Sequence, residues 1–244
     1  MKRIVRATQL EKFRRWISDK YEYETEQGVI DSITGEFKGN AYTWIGTAFH
    51  SIVETGKHKT EKVDAGERTY IYYGKEQKES VPCGRKFNID GNDVILDIPQ
   101  CKVALEYRNE HPHALHEVRE FMDFGEVIVT GQADMIDGLE IRDIKTKYSY
   151  PSDIDYIDSA QSHIYMQMFG ADTFHYDLFI FEDYKIEKHG TDVRGINLMR
   201  YDPPITVCRY NGMEEDNLRL IGEFVDWAKH KNVFEELPTE WNLE

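Results

Sequence analysis

The sequence predicts an α/β fold: one domain with a central mixed β-sheet flanked by helices. Three observations predict it. Apolar residues recur at helical spacing near both ends, in Leu10, Phe13, Trp16 and Ile17 and again in Leu218, Ile221, Val225 and Ala228. Between them lie short strand-like runs, of which Tyr176 to Phe181 is the most apolar. In the middle stands Asp137-Gly138 between alternating residues, a hairpin signal, because both central positions of a type I′ turn need positive φ. Helices, a meander of strands and further helices make an α/β domain. A chain of 244 residues fits one large domain or two small ones. No internal repeat or low-complexity linker divides it, and a single domain is expected.

The first helix is predicted to start at Thr8, with Thr8 and Glu11 forming a capping box. Residues 21–39 are polar with two glycines and read as a loop or short hairpin. Thr43 to Thr55 reads as a second helix closed by Gly56. His50 and Glu54 share one of its faces, and Gly46, one turn before His50, leaves room for another backbone. Residues 57–97 have mixed character and read as an insertion or subdomain, with a strand near Arg68 to Tyr73 and a turn at Ile89 to Asp93. Asp97 to His111 is a helix, with Asp97 or Ile98 near the cap and Pro99 in its first turn. A strand at Glu117 to Met122 leads into the hairpin. After a loop rich in Tyr, Ser and Asp come a helix over Ser159 to Gly170, strands at Tyr176 to Phe181, Gly195 to Tyr201 and Ile205 to Tyr210, and a closing helix over Met213 to Lys231.

Composition limits the function classes. The apolar fraction of 40% is enough for a core, and no stretch approaches the ~20 apolar residues of a membrane span. The start, Met-Lys-Arg-Ile-Val-Arg, has no apolar signal segment, and a cytoplasmic protein is expected. A formal net charge of −15 argues against broad coating of nucleic acid. It leaves room for an enzyme whose cations line one cleft. Basic clusters occur at Lys2, Arg3, Arg6, Lys12, Arg14 and Arg15, at Lys57, Lys59 and Lys62, and at Arg142, Lys145 and Lys147. Cys83, Cys101 and Cys208 are far apart and odd in number, which speaks against disulfides and cysteine-ligated metal.

The chemistry gathers on the hairpin. With Asp137 and Gly138 as the turn, Ile136 pairs with Leu139 and Asp134 lies opposite Ile141. Alternation then puts Asp134, Asp143 and Lys145 on one face, with Ile136, Leu139 and Ile141 toward the turn, and turns Met135 and Ile144 to the other face. Two carboxylates so close repel unless a cation separates them. Lys145 alone could neutralise both, which would make an ion-pair cluster; a divalent metal is the other solution.

Four elements stand in one order: Gly46-x-x-x-His50, Gly131-x-x-Asp134, Asp143-x-Lys145 and Gln161-x-x-x-Tyr165. Together they resemble the PD-(D/E)XK nuclease superfamily, specifically its RecB-type branch. That branch includes nuclease domains of bacterial recombination enzymes, iron–sulfur CRISPR-associated nucleases and the mitochondrial genome maintenance exonuclease. The resemblance covers about His50 to Tyr165. It implies a restriction-endonuclease-like core and a metal-dependent deoxyribonuclease, with exonuclease action and 5′-phosphate products. In that reading Asp134 and Asp143 hold the metal with the Ile144 carbonyl and His50. Lys145 orients or activates the attacking water. Gln161 and Tyr165 hold the nucleic-acid backbone, and Lys147 joins them. A glutamate precedes the Gly-x-x-Asp element in the family; Glu120 is the best-spaced candidate, with Glu117 and Glu126 as rivals. Hard oxygen ligands suit Mg²⁺, and a histidine makes Mn²⁺ equally acceptable. The cysteines do not fit an iron–sulfur cluster. No Gly-x-x-x-x-Gly-Lys-Ser/Thr loop accompanies the motifs. The implied partners are DNA, as single strands or duplex ends, and a recombination or helicase partner. Phage-type genome processing, recombination and repair are the implied settings. A catalytically silent nucleic-acid-binding or scaffold protein on the same fold is the alternative.

Overall fold

The computed structural model describes residues 2–35, 38–56 and 60–239. Lys57 and Lys59 of the second basic cluster, and the tail from residue 240, lie outside the described residues. The chain opens with a strand the sequence did not signal, β1 (Arg3–Arg6), which runs directly into α1 (Ala7–Ile17). Arg6, not Thr8, is the N-cap of α1, and the Gln9 side chain accepts the Arg6 N–H at 2.9 Å. Glu11 is drawn to tertiary partners instead. Its carboxylate accepts from Arg14, Arg15 and, at 2.8 Å, the Ala160 N–H. Ile17, counted in the apolar stripe, is exposed.

Residues 21–39 contain a helix rather than a hairpin: α2 (Glu26–Thr34), capped by Thr25, which accepts the Gly28 N–H at 3.0 Å. Val29, Ile30 and Ile33 meet the core at helical spacing, and that burial outweighs the glycine inside the helix. α3 (Ala41–Thr55) begins two residues before the predicted Thr43, because Asn40 accepts the Thr43 N–H at 3.1 Å and caps it. It ends at Gly56 in the left-handed region, as predicted.

The next stretch builds two small sheets of its own from β2 (Glu61–Val63), β3 (Gly66–Tyr72), β4 (Lys75–Val81), β5 (Gly84–Ile89) and β6 (Asn92–Asp97). One has the order β2-β5-β6; β3 and β4 form a separate hairpin. Asp97 caps α4 (Ile98–Glu110) and also accepts the Gly195 N–H at 2.8 Å.

The remaining elements are β7 (Leu115–Asp123), β8 (Val127–Asp137), β9 (Glu140–Lys147), α5 (Ile154–Ile157), α6 (Ala160–Phe169), β10 (Thr173–Phe181), α7 (Ile186–His189), β11 (Leu198–Arg200), β12 (Ile205–Cys208) and α8 (Met213–His230). Among the described residues the main sheet has seven strands, in the order β1-β8-β9-β10-β11, with β7 on β8 and β12 on β10. It is mixed: β1–β8 and β9–β10 are parallel and the other pairs antiparallel. One face buries against α1, α6 and α8, the other against α3 and α4. Leu218, expected on the buried face of α8, is exposed, while Ile221, Phe224, Val225 and Ala228 are buried. No described helix is long and apolar enough to cross a membrane.

The central hairpin forms with a shifted register. Ile136 pairs with Ile141 and Asp137 with Glu140, so the turn residues are Gly138 and Leu139. Gly138 alone of the two has positive φ, 64°, which places the glycine where a type II′ turn needs it. Leu139 is therefore solvent-exposed at the turn instead of lining the sheet face. The shift moves each partner by two residues, so it preserves which β9 side chains share a face.

The sheet is tied to α4 by a buried carboxylate. Asp177 on β10 is fully buried and accepts from Tyr107 at 2.8 Å, Arg142 at 3.0 Å and Arg200 at 3.3 Å. These come from α4, β9 and β11. Removing the acid takes from Arg142 and Arg200 their one buried partner and leaves them only the more exposed Glu140 and Glu110, and breaking a buried pair from one side is costly. Asp177→Ala is expected to lower unfolding free energy by about 3–5 kcal/mol, read from urea denaturation.

Candidate active site

β8 changes partners along one edge. It pairs with β1 through Thr130 and with β9 from Met135 onward. From Gly131 to Asp134 that edge has no strand neighbour among the described residues. Backbone polar groups left without partners in an interior are costly. Here a side chain replaces the missing strand: the Tyr165 hydroxyl of α6 accepts the Gln132 N–H at 3.1 Å and donates to the Gln132 carbonyl at 3.2 Å. The ring lies against Gly131, where an added Cβ would come within 2.4 Å of it. Tyr165 is thus buried beneath β8 and engaged with protein backbone. Gly46 similarly makes room, for the Thr146 side chain rather than a backbone; a Cβ there would sit 3.0 Å from Thr146 Oγ1.

At the end of the gap the strands diverge around Asp134. Ala133 packs in one core cluster and Met135 in the other, so strict alternation breaks between them. The Asp134 carboxylate accepts the Ile144 N–H at 2.7 Å. His50 of α3 lies 2.7 Å from the Ile144 carbonyl through Nε2. A carbonyl only accepts, so Nε2 carries the proton and the Nδ1 lone pair faces Asp134 at 3.8 Å. Two electron-rich groups facing each other call for a cation or a proton between them.

Asp143 is buried. Lys145 Nζ lies 2.9 Å from both of its oxygens, and Gln161 Nε2 lies 3.4 Å from Oδ1. Apart from that ammonium, Oδ2 has no partner among the described residues. Burial pushes the Asp143 carboxyl above the usual carboxylate range, Lys145 pulls it back, and the charge of Asp134 pushes it up again. Burial disfavours the Lys145 ammonium, but Asp143 and Asp134 outweigh it, and Lys145 is held protonated well above its ordinary value.

Of the three glutamate candidates, Glu117 reaches the site. Glu117, His50 and Asp134 each bring one ligand atom within 4.8 Å of the others. The β7–β8 ladder passes over Glu117, whose φ is 52°, a strained conformation for this residue type. Burial, then the Asp134 charge, raises its carboxyl pKa. Glu120, the candidate preferred on spacing, lies opposite Gly131, is exposed, and accepts its own neighbour's N–H, that of Phe121, at 3.1 Å. Glu126 pairs with Lys229. The convergent donors, two carboxylates and one imidazole, are of a kind that suits a hard divalent cation, and Asp143 stands outside that group. In this arrangement the Ile144 carbonyl is engaged by His50.

These groups line an open cleft of about 620 Å³ that includes His50, Glu117, Asp134, Ile144, Lys145 and Lys147. Lys145 and Lys147 also face a second, more enclosed cavity of about 250 Å³, together with Arg15 and Gln161. Burial, then Lys145, then Arg15 push the Lys147 ammonium down, as expected where cations converge. Arg15 and the cavity beyond Lys145 were not singled out as functional from the sequence. The only signal was the basic run at residues 12–15.

The profile of the PD-(D/E)XK nuclease superfamily matches residues 7–194. No curated protein sequence matches the chain. Solved structures similar to the chain include these two. One, named a putative exonuclease from Eubacterium rectale, is 11% identical with a TM-score of 0.48, covering 97% of this chain and 83% of its own. The other, SSO0001, is 15% identical with a TM-score of 0.40, covering 93% and 77%.

Glu117 gives a test with a defined sign. Its folded-state pKa is raised, so between the unfolded and folded values the native protein binds the extra proton, and stability falls as pH rises through that window. Glu117→Gln is expected to raise the Tm of the metal-free protein at neutral pH and to shrink the Tm rise that Mn²⁺ brings. Glu120→Gln is expected to leave both unchanged. Thermal melts with and without Mn²⁺ measure both effects.

Proposed function

The chain belongs to the PD-(D/E)XK nuclease superfamily, and from that premise we propose that it is a deoxyribonuclease using Mg²⁺ or Mn²⁺ and digesting DNA from its ends. The observation that carries this reading is the grip on Ile144. Its N–H is held by Asp134 and its carbonyl by His50, which fixes Asp143 and Lys145 on either side. Lys145 is thereby set at the wall of the cleft, with the buried Asp143 2.9 Å from its ammonium, before any substrate arrives. Charge held in place beforehand stabilises a phosphoryl transition state without reorganising as the reaction proceeds.

The residues divide the work. Asp134, Glu117 and His50 through Nδ1 would hold the cation, with Asp143 beside them and the Ile144 carbonyl kept by His50 Nε2. When bound, a divalent cation supplies a more acidic water and a counter-charge for phosphate oxygens. Lys145, held protonated by Asp143, cannot serve as a base in that state. It orients the attacking water and faces the charge that builds on the phosphate oxygens. Gln161 steadies Asp143. Tyr165 sets the backbone of β8, a positioning role, so the nucleic-acid contact expected of it passes to Lys147 and its surroundings. The proposed settings are recombination, repair or genome processing, with a helicase partner supplying strand separation.

Incubation with Mg²⁺ or Mn²⁺ and labelled linear duplex, single-stranded and closed circular DNA tests the reading. Linear DNA should be shortened and closed circles left intact. Lys145→Ala is expected to slow cleavage by about 10²–10³-fold while Mn²⁺ still raises Tm. If no DNA is cut with either metal, the reading fails; binding without turnover would favour a silent nucleic-acid-binding protein.

A further inference from the structure

The enclosed cavity beyond Lys145 has the chemistry of an anion site. Arg15, Lys145 and Lys147 line it, in a chain whose formal net charge is −15. Lys147 has no carboxylate within ion-pair distance among the described residues, and its Nζ sits 5.2 Å above the Tyr156 ring. One acid, Asp155, is on the lining. An independent feature points to a ligand: Tyr156 lines the same cavity, is only 7% exposed, and has a buried hydroxyl with no hydrogen-bond partner among the described residues. A buried hydroxyl without a partner costs free energy that a bound acceptor would recover. Two exposed aromatic side chains, Tyr23 and Tyr150, stand at the mouth and offer faces on which a base could stack.

We propose that this cavity binds a phosphate monoester, with the nucleoside lying toward Tyr23 and Tyr150. Resting on the nuclease reading, the group is either the terminal phosphate of a DNA end whose next linkages cross the open cleft or the phosphate of a released mononucleotide. A monoester carries more negative charge than a diester and no second ester arm. A closed pocket with several cations and a hydroxyl donor therefore favours it over an internal phosphate. Lys145 lies on the wall shared by cleft and cavity, so a phosphate in the cavity sits beside the cleavage position.

Calorimetric titration of the full chain in EDTA with dAMP and with deoxyadenosine tests the site without requiring turnover. Binding of dAMP at least about tenfold tighter than deoxyadenosine is expected, with that advantage reduced by about the same factor in Lys147→Gln and in Tyr156→Phe, as for a lost hydrogen bond to a charged group. Equal binding of the two compounds, or an unaltered advantage in both variants, would overturn the proposal. Cleavage of otherwise identical oligonucleotides with 5′-phosphate, 3′-phosphate or hydroxyl ends separates the two sources. A rate preference for one phosphorylated end that drops toward unity in Lys147→Gln assigns the cavity to the substrate end. Equal rates with dAMP inhibition that weakens in Lys147→Gln assign it to the product. Absence of any cleavage by the wild-type protein removes the nuclease reading, while the calorimetric comparison still decides the cavity.

Discussion

The structure depends on a missing strand. Four residues of β8, Gly131 to Asp134, run between the end of β1 and the start of β9 pairing with β7 on one edge and no described strand on the other. A strand continuing along this edge would satisfy this backbone but would also run past Asp134, which lines the cleft. The opening persists because two side chains do what a strand would do. Tyr165 pairs with both polar groups of Gln132, and Asp134 takes the Ile144 N–H. Each replacement commits one side chain, and each leaves neighbouring atoms pointing into the open space. Asp134 serves twice, since the carboxylate that ends the gap also faces His50.

Electrostatics follows from this geometry. Burying Asp143 is tolerable because Lys145 is at hydrogen-bond distance, and Lys145 keeps its charge in a half-buried place because two carboxylates are near it. The Asp143–Lys145 pair is a close ion pair, as the sequence allowed, and Lys145 also lines the cleft beside Asp134. The overall negative charge bears on the proposal: in a chain of formal net charge −15, Arg15, Lys145 and Lys147 converge on one cavity, where a phosphate would meet them.

Much of this was legible in the sequence, because the relevant signals are local. Asp97 and Gly56 mark helix ends through their own backbone chemistry, and the fold class follows from apolar periods. The four spaced motifs carried the superfamily. What escaped is what tertiary contact decides. The cap of α1 moved because Glu11 found Ala160 across the core. α2 formed in a stretch rich in polar residues because three apolar residues met the core. Glu117 was ranked behind Glu120 because spacing along one strand says nothing of which residue lies across from Asp134; the β7–β8 register does. The hairpin turn moved by one residue because a glycine with positive φ suffices at the first central position, and Asp137 was not needed there.

The contact between Tyr165 and Gly131 has an evolutionary consequence. A side chain at 131 is admissible only if the ring at 165 recedes, yet a smaller residue at 165 gives up the hydroxyl that satisfies Gln132. Neither position can drift first without loss, and changing both together still leaves the strand backbone bare. In a set of homologues the two positions should therefore be fixed jointly or replaced jointly, with any replacement accompanied by a new polar donor–acceptor group reaching Gln132 from α6. The length of the gap is inherited with them, because one phenol spans a single residue's N–H and carbonyl and no more.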